Sequence, residues 1–545
     1  MQYDVEGILD SVVEETFPDF SYRANQRETI IRILDAFINK NKKTVLLNAP
    51  TGAGKSWISR IVAEVINQLF ETDSLFITKT IALQQQYLRD FKDMKQLMGA
   101  TNYSCHTDLT LPIPPKKKHH PTCRYRKTDG CCEYAAARNA WKDSPLKNLN
   151  YAFFFTADGK YTAEGLLVAD EAHTLPGSLI DRSEVTINIS RLMDLTPEFD
   201  MGDYIPVAEI QKTKHFKINY IFDLLPYLTQ AKSVLYAQIR DLEKAIEKFD
   251  AIGNKAQVES LIASKLGPLE SRASLASETV SGINTIIATD PDQWVLYEDT
   301  GERDLMFKFK PLEVLDSSAS LIMHPEYRLL MTATPFNLIY DLKLSMDDTE
   351  VITTDYAWPL ENRPFIVERS LPSMNFKTKA DVFPEYVEAL DNFLEGLGDD
   401  TACGLVHSAS YANAEEIKKL SKYADRMYIP TSREVRDITK LMTPGRIIVS
   451  PSILEGVDLH GDLARFQVFF KISYPNLGDL WVERKKVRDP EWYNIQPMIA
   501  IIQGSGRAVR SHDDFAVTYM MDPSFQRLLD NLKGQVPEWF LQTLI

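Results

Sequence analysis

The sequence predicts an α/β protein with a nucleotide site on a parallel sheet, and three observations predict it. A short apolar strand, a glycine-containing loop and an amphipathic helix follow one another over residues 44–66, "TVLLNAPTGAGKSWISRIVAEVI". A second apolar strand, at 166–169 in "GLLVADEAHTL", ends in two acids. The chain has 545 residues, enough for about three or four domains rather than one core.

The first of these stretches has the context of a phosphate loop. Gly52 and Gly54 let the backbone curl until its N–H groups face phosphates. Lys55 would reach the β and γ phosphates of ATP, and the Ser56 hydroxyl would ligate Mg2+. Ala49 stands where such a loop usually has its first glycine. In the second stretch the acids sit at the carboxyl end of the strand, where parallel α/β sheets bind ligands. Asp170 would hold Mg2+ through water, and Glu171 would polarise the water that attacks the γ-phosphate. An Asp-Glu pair alone is usually a surface pair; this one follows a phosphate loop and an apolar strand.

A third stretch, "IIQGSGRAVRSHDDFAVTYMMD" at 501–522, places Gln503, Arg507 and Arg510 at helical spacing on one face. Arginines there would neutralise charge on the transferring phosphoryl group. Without the two earlier stretches, a surface helix with unrelated arginines is the simpler reading.

Composition sets limits. Hydrophobic residues are 44% and charged residues 25%, ordinary for a soluble globular protein. The net charge of -15 offers polyanions no bulk attraction, so a nucleic-acid partner must be met by local cations. Residues 116–128, "KKKHHPTCRYRKT", hold six Lys or Arg and no acid; taken alone, the run reads equally well as a solvated loop. Five cysteines make no disulfide framework, and the odd count fits a reducing compartment. The opening "MQYDVEGILDSVVEETF" has acids where a secretory signal has cations, and no run of about 18 apolar residues occurs. A cytoplasmic or nucleoid-associated protein without a membrane span is expected.

Together the three stretches resemble the superfamily-two helicases. That resemblance implies two RecA-like P-loop motor domains with ATP in the cleft between them. Further stretches fit in order. "YRANQ" at 22–26 resembles the adenine-contacting motif, through Arg23 and Gln26. "ITKTIALQQQY" at 77–87 resembles the first DNA-contact motif, and "LLMTATP" at 329–335 the motif coupling hydrolysis to DNA grip. "SPSILEGVDLHGD" at 450–462 resembles the fifth motif, with Glu455, Gly456 and Asp458 at the domain interface. "DEAH", "WPLENRP" at 358–364, "QGSGRAVRSHDD" and "CEYAAAR" at 132–138 are similar to segments of the XPD/DinG-like branch. The resemblance is weak between about Pro176 and Pro311.

Four of the five cysteines, Cys105, Cys123, Cys131 and Cys132, lie between the phosphate loop and "DEAH". That interval is longer than a plain RecA-like half needs, so an insertion is implied between roughly Phe91 and Asn150. It has few apolar residues and many turn formers, and a piece so small needs a staple. Thiolates suit an iron–sulfur cluster or zinc, and residue chemistry leaves the two open. The family resemblance implies a 4Fe-4S cluster on the four cysteines. The adjacent pair departs from the family's wider spacing, and His106, His119 or His120 is an alternative ligand for one position. Reduced structural thiols are the remaining reading. Cys403, in the apolar "CGLVHS", is expected in a core.

The expected organisation is a first motor domain from 1–90, 151–185 and 310–350, a cluster domain at 91–150, and a second motor domain at 351–545. Between them, at 186–309, Leu235, Ile239, Leu242, Ile246 and Phe249 form an apolar stripe that breaks at 251–257 and returns through Val258, Leu261, Ile262 and Leu266. This helical hairpin is, by resemblance, an Arch-like domain. The family implies a monomeric, ATP-dependent helicase moving 5′ to 3′ on single-stranded and forked DNA, in repair, recombination or replication. Lys116–Lys118, Arg124, Arg126 and Lys127 would hold phosphates, with Tyr103, Tyr125 and Tyr134 as stacking groups or packing. Two alternatives stand beside this. One is an ATP-driven strand translocase or RNA-directed helicase that opens no DNA duplex. The other is a nucleotide-gated, redox-sensing DNA-binding protein, for which Glu171, Arg507 and Arg510 would be superfluous.

Overall fold

The computed structural model describes residues 2–103, 133–157, 160–213, 215–300, 305–356, 358–431, 433–451, 459, 461–506, 509 and 513–545. They form two compact units. One comprises Met1–Asp93, Thr162–Leu175 and Ile322–Ile545, and the other Met94–Tyr161 and Pro176–Leu321.

The first unit holds two lobes, each built on a parallel sheet. In the first lobe five strands lie in the order Thr349–Thr353, Thr44–Asn48, Tyr327–Thr332, Leu166–Asp170, Ser74–Thr78. The middle strands are buried end to end, which is why they read as unbroken apolar runs. Register brings three motifs to one edge. Asn48 pairs with Thr332 and Asp170 with Met331, so the phosphate loop, the acid pair and "TATP" all leave the sheet at the same carboxyl end. In the second lobe six parallel strands follow the order Phe365–Val367, Val517–Met520, Phe466–Phe469, Gly404–His407, Ile447–Ser450, Met427–Tyr428. Cys403 is buried in this lobe, against Leu405, Ile448 and Val509.

The other unit contains the helical hairpin. Tyr220–Ala251 is one long helix, broken at Gly253, and the chain returns through Lys255–Leu261, a π turn at Ile262–Leu266 and the helix Gly267–Ile287. The stripe is deepest at Leu235 and Ile239 and half-buried at Leu242, Ile246 and Phe249, so the seam loosens toward the break. The helices rest on an antiparallel sheet of Val185–Asn188, Leu305–Pro311 and Trp294–Thr300, which the stripe did not announce. Gly282 permits the contact, because a Cβ there would sit 2.5 Å from Val185 Cγ1. The helix Glu133–Lys142 belongs to this unit. Tyr134 on it is buried, 5.4 Å from the Tyr103 ring, with its hydroxyl 3.5 Å from that of Tyr161. It is therefore a packing residue and not an open stacking platform. No described helix is long and apolar enough to cross a membrane.

Candidate active site

The helix Lys55–Phe70 starts directly from the loop after Asn48, so its first-turn N–H groups and positive dipole end face the loop. Gly52 and Gly54 have φ of 86° and 79°, in the left-handed region that glycine enters without strain. A Cβ on Gly54 would lie 2.0 Å from Gln26 Nε2, and one on Gly52 would lie 2.7 Å from Trp358 Nε1. The loop is thus a cradle that side chains at these positions would fill, which fits a bound triphosphate.

Around it, Arg23 donates from Nη1 to the Gly52 carbonyl at 3.0 Å. Gln26 donates from Nε2 to the Gly54 carbonyl at 3.3 Å, and its Oε1 accepts from the Arg23 N–H. The Arg23 guanidinium also lies 5.7 Å from the centre of the Trp358 ring. Lys55 donates from Nζ to the Ala49 carbonyl at 3.2 Å, folded along the loop it would leave to meet phosphate oxygens.

Asp170 is the last residue of its strand and is buried. Its carboxyl is pushed up to about 6, first by burial and then by the Glu171 charge, against the opposing pull of Lys55 and the Tyr87 hydroxyl. Tyr87 donates to Asp170 Oδ2 at 3.0 Å, and the Glu171 N–H donates to Oδ1 at 2.9 Å. Tyr87 also hydrogen-bonds the Ser56 and Ser59 side chains, and burial holds its phenol well above the usual range, so it remains a donor. Two neighbouring carboxylates, with the Ser56 hydroxyl tied to Asp170 through Tyr87, fit a divalent cation.

Glu171 itself has φ 54° and ψ 45°, a conformation costly for a residue with a Cβ. It turns the chain so that the carboxylate meets the second lobe. Gln503 Nε2, from the helix Pro490–Ser505, donates to Glu171 Oε2 at 3.3 Å and to Thr334 Oγ1 at 3.4 Å. Thr334 and Thr332 hydroxyls are 3.3 Å apart, and Thr332 Oγ1 lies 3.0 Å from His173 Nδ1, which is 3.4 Å from Glu171 Oε2. Glu171, His173, the two threonines of "TATP" and Gln503 of the last motif therefore form one ring of polar side-chain contacts. A second link joins the lobes where Thr51 Oγ1, in the phosphate loop, donates to the Gly506 carbonyl at 2.9 Å.

That link corrects one expectation. The helix carrying Gln503 ends at Ser505 and Val509 lies outside any helix, so no single helix runs from Gln503 through 510. Gly506 caps the end, and its carbonyl accepts from Thr51. Arg507, Arg510, Glu455, Gly456, Asp458 and the cysteines Cys105, Cys123, Cys131 and Cys132 lie outside the described residues, as do the cations of 116–128 and Tyr125. Among the described residues no group of His, Cys, Asp and Glu has a metal-holding arrangement of three or more.

Four participants were not singled out from sequence: Tyr87, Thr51, Trp358, and the Thr332–Thr334–His173 relay. Tyr87 ends a stretch assigned to DNA contact, and only the fold turns it inward to Asp170. Thr332 and Thr334 bracket the buried Ala333 inside "LLMTATP", and Trp358 and His173 lie in "WPLENRP" and "DEAH", so the quoted motifs held these residues without marking which side chains meet.

Two stretches of the chain match known domain families, and solved structures share its fold. Residues 430–543 match the helicase C-terminal domain, and residues 19–196 match the type III restriction enzyme res subunit. An XPD helicase structure shares the fold at a TM-score of 0.57 and 14% identity, covering 94% of this chain and 98% of that one. Xpd4 of S. tokodaii does so at 0.53 and 14%, covering 96% and 99%, and an apo XPD structure at 0.50 and 13%, covering 92% and 98%.

Proposed function

We propose that this chain, which matches a helicase C-terminal domain and shares its fold with XPD helicase structures, is an XPD-like, ATP-driven DNA helicase of superfamily two that moves 5′ to 3′ along single-stranded DNA. The observation that supports the proposal is the Gln503–Glu171 hydrogen bond, which joins the second lobe to the carboxylate we propose activates water. ATP supplies the phosphoryl group, and Mg2+ neutralises charge as it is transferred. Lys55 releases the Ala49 carbonyl to hold the β and γ phosphates. Ser56 and Asp170 hold the cation, with Tyr87 fixing both. Glu171 orients the attacking water and takes its proton, and Gln503 senses that carboxylate from the other lobe. By resemblance to the family's last motif, Arg507 and Arg510 would supply guanidinium charge to the transferring phosphoryl group. Arg23 and Gln26, already clamped on the loop, recognise the adenine end.

The division into two motor domains, a cluster domain and an Arch-like domain belongs to the same proposal, as do Glu455, Gly456 and Asp458 at the interface. Cys105, Cys123, Cys131 and Cys132 hold a 4Fe-4S cluster; purified protein lacking both iron and acid-labile sulfide overturns that assignment. The test of the motor is ATP hydrolysis with and without single-stranded DNA or RNA. The wild type is expected to be stimulated by DNA and Lys55→Ala to be inactive yet folded. Stimulation by RNA alone would transfer the substrate to RNA, and unchanged turnover in Lys55→Ala would remove that lysine from its role.

A further inference from the structure

The loop after the strand Tyr327–Thr332 touches the second lobe at more than the Thr334 hydroxyl. Its Ala333 is buried, and its Phe336 partly buried, in one apolar cluster with Ile495, Met498, Ile501 and Ile502 of the helix Pro490–Ser505. Phe336 has φ 31°, left-handed backbone that a bulky side chain rarely adopts and that persists only where its surroundings fix it. The next residue, Asn337, donates from Nδ2 to Glu491 Oε2 at 2.8 Å, in the first turn of that helix. Loop and helix therefore run side by side, with Thr334 on Gln503 at one end and Asn337 on Glu491 at the other.

Neither member of the second pair is needed to start a helix. Asn337 precedes the short helix Leu338–Asp341 but makes no side-chain cap bond to it. Asp489 already caps the long helix, accepting from the Trp492 N–H at 3.0 Å. The other oxygen of Glu491 accepts from Gln535 Nε2, so both carboxylate oxygens are engaged and the side chain is fixed. Glu491 and Gln503 lie about 18 Å apart along the helix axis. Pro497, between them, has no N–H to donate along the helix, which makes the middle its softest part. A helix soft in the middle keeps Gln503 aimed only if its far end is fastened too.

We infer that Asn337 and Glu491 are positioning residues for ATP hydrolysis: they latch the far end of the helix to the loop after Thr334, so that loop and helix move as one body and Gln503 stays on Glu171. The side-chain partners in this latch are Asn337, Glu491 and Gln535, none of them in the phosphate loop. The latch therefore acts on turnover and leaves nucleotide affinity alone. A contact that only supported the fold would lower nucleotide binding along with turnover.

The inference rests on the Gln503–Glu171 reading above, and the experiment separates the two. Asn337→Asp sets a second carboxylate against Glu491. In the whole chain, kcat for ATP hydrolysis should fall about tenfold, while affinity for a fluorescent non-hydrolysable ATP analogue stays within about twofold of wild type. Amides of the helix Pro490–Ser505 should exchange hydrogen faster in this variant. Glu491→Gln alone should lose about threefold in kcat; added to Asn337→Asp it offers an amide to the new carboxylate and should bring kcat back to within about threefold of wild type. If Asn337→Asp does not fold, Asn337→Ala adds no charge and should lower kcat about threefold at unchanged analogue affinity. Unchanged kcat in the Asn337 variant, additive losses in the double variant, or an equal loss of analogue affinity would overturn the latch and leave the role of Gln503 standing. Full hydrolysis by Gln503→Ala would overturn the broader reading and the latch with it.

Discussion

Tyr87 offers the sharpest perturbation of the cation site. Its hydroxyl is buried, donates to Asp170 Oδ2 at 3.0 Å and also reaches Ser56, so one phenol positions both proposed Mg2+ ligands. Tyr87→Phe removes that oxygen alone. The ring keeps its packing against Phe76 at 5.7 Å and Phe91 at 6.0 Å, so no cavity opens. A hydrogen bond to a charged acceptor contributes about 1.5–3 kcal/mol. If that energy holds Asp170 in place for the cation, affinity for the Mg2+–nucleotide complex should fall about ten- to a hundredfold. Affinity for nucleotide in EDTA should not change, because the loop, Lys55 and the Gln26 clamp are untouched. Calorimetric titration in the two buffers measures the difference directly. Equal losses with and without Mg2+ would mean that Tyr87 only supports the fold, and no loss would refute the positioning role.

Other consequences follow from neighbouring contacts. Gly506→Ala puts a methyl 2.3 Å from Thr51 Oγ1, so it should break the Thr51–Gly506 link and slow hydrolysis about tenfold or more, with Thr51→Gly partly restoring the rate in steady-state assays. Glu368 is lowered to about 2 from its usual 4.5, first by the Tyr519 hydroxyl, which donates to it at 2.6 Å, and then by Ser370. Its contribution is complete above pH 4.5 and fades as pH falls toward 2; Glu368→Gln should cost about 1 kcal/mol at pH 7, after allowance for solvent exposure, and the denaturant curves of wild type and variant should stay apart at pH 4 and draw together only as pH nears 2.

What could be read beforehand follows from how local each signal is. The strand Thr44–Asn48, the glycines at 52 and 54, and the helix after Lys55 are specified by contiguous residues, and the structure has them there. The hairpin was legible because an apolar stripe at helical spacing needs no distant partner. Its three-stranded sheet was hidden, since Val185–Asn188 pairs with residues more than a hundred positions away. The inward turn of Tyr87 is hidden for the same reason, because its partner Asp170 lies far along the chain. Helical spacing through Arg510 does not say where a helix stops, and here a poor helix former, Gly506, follows its last residue.

A strand-displacement assay on forked DNA, with the 5′ and then the 3′ single-stranded arm removed, bears most directly on the motor itself. Wild-type protein with ATP should separate the duplex only when the 5′ arm is present, and Lys55→Ala or Gln503→Ala should abolish separation. Robust ATP hydrolysis without separation of any DNA substrate, or equal separation by Gln503→Ala, would contradict a motor whose second lobe acts through Glu171.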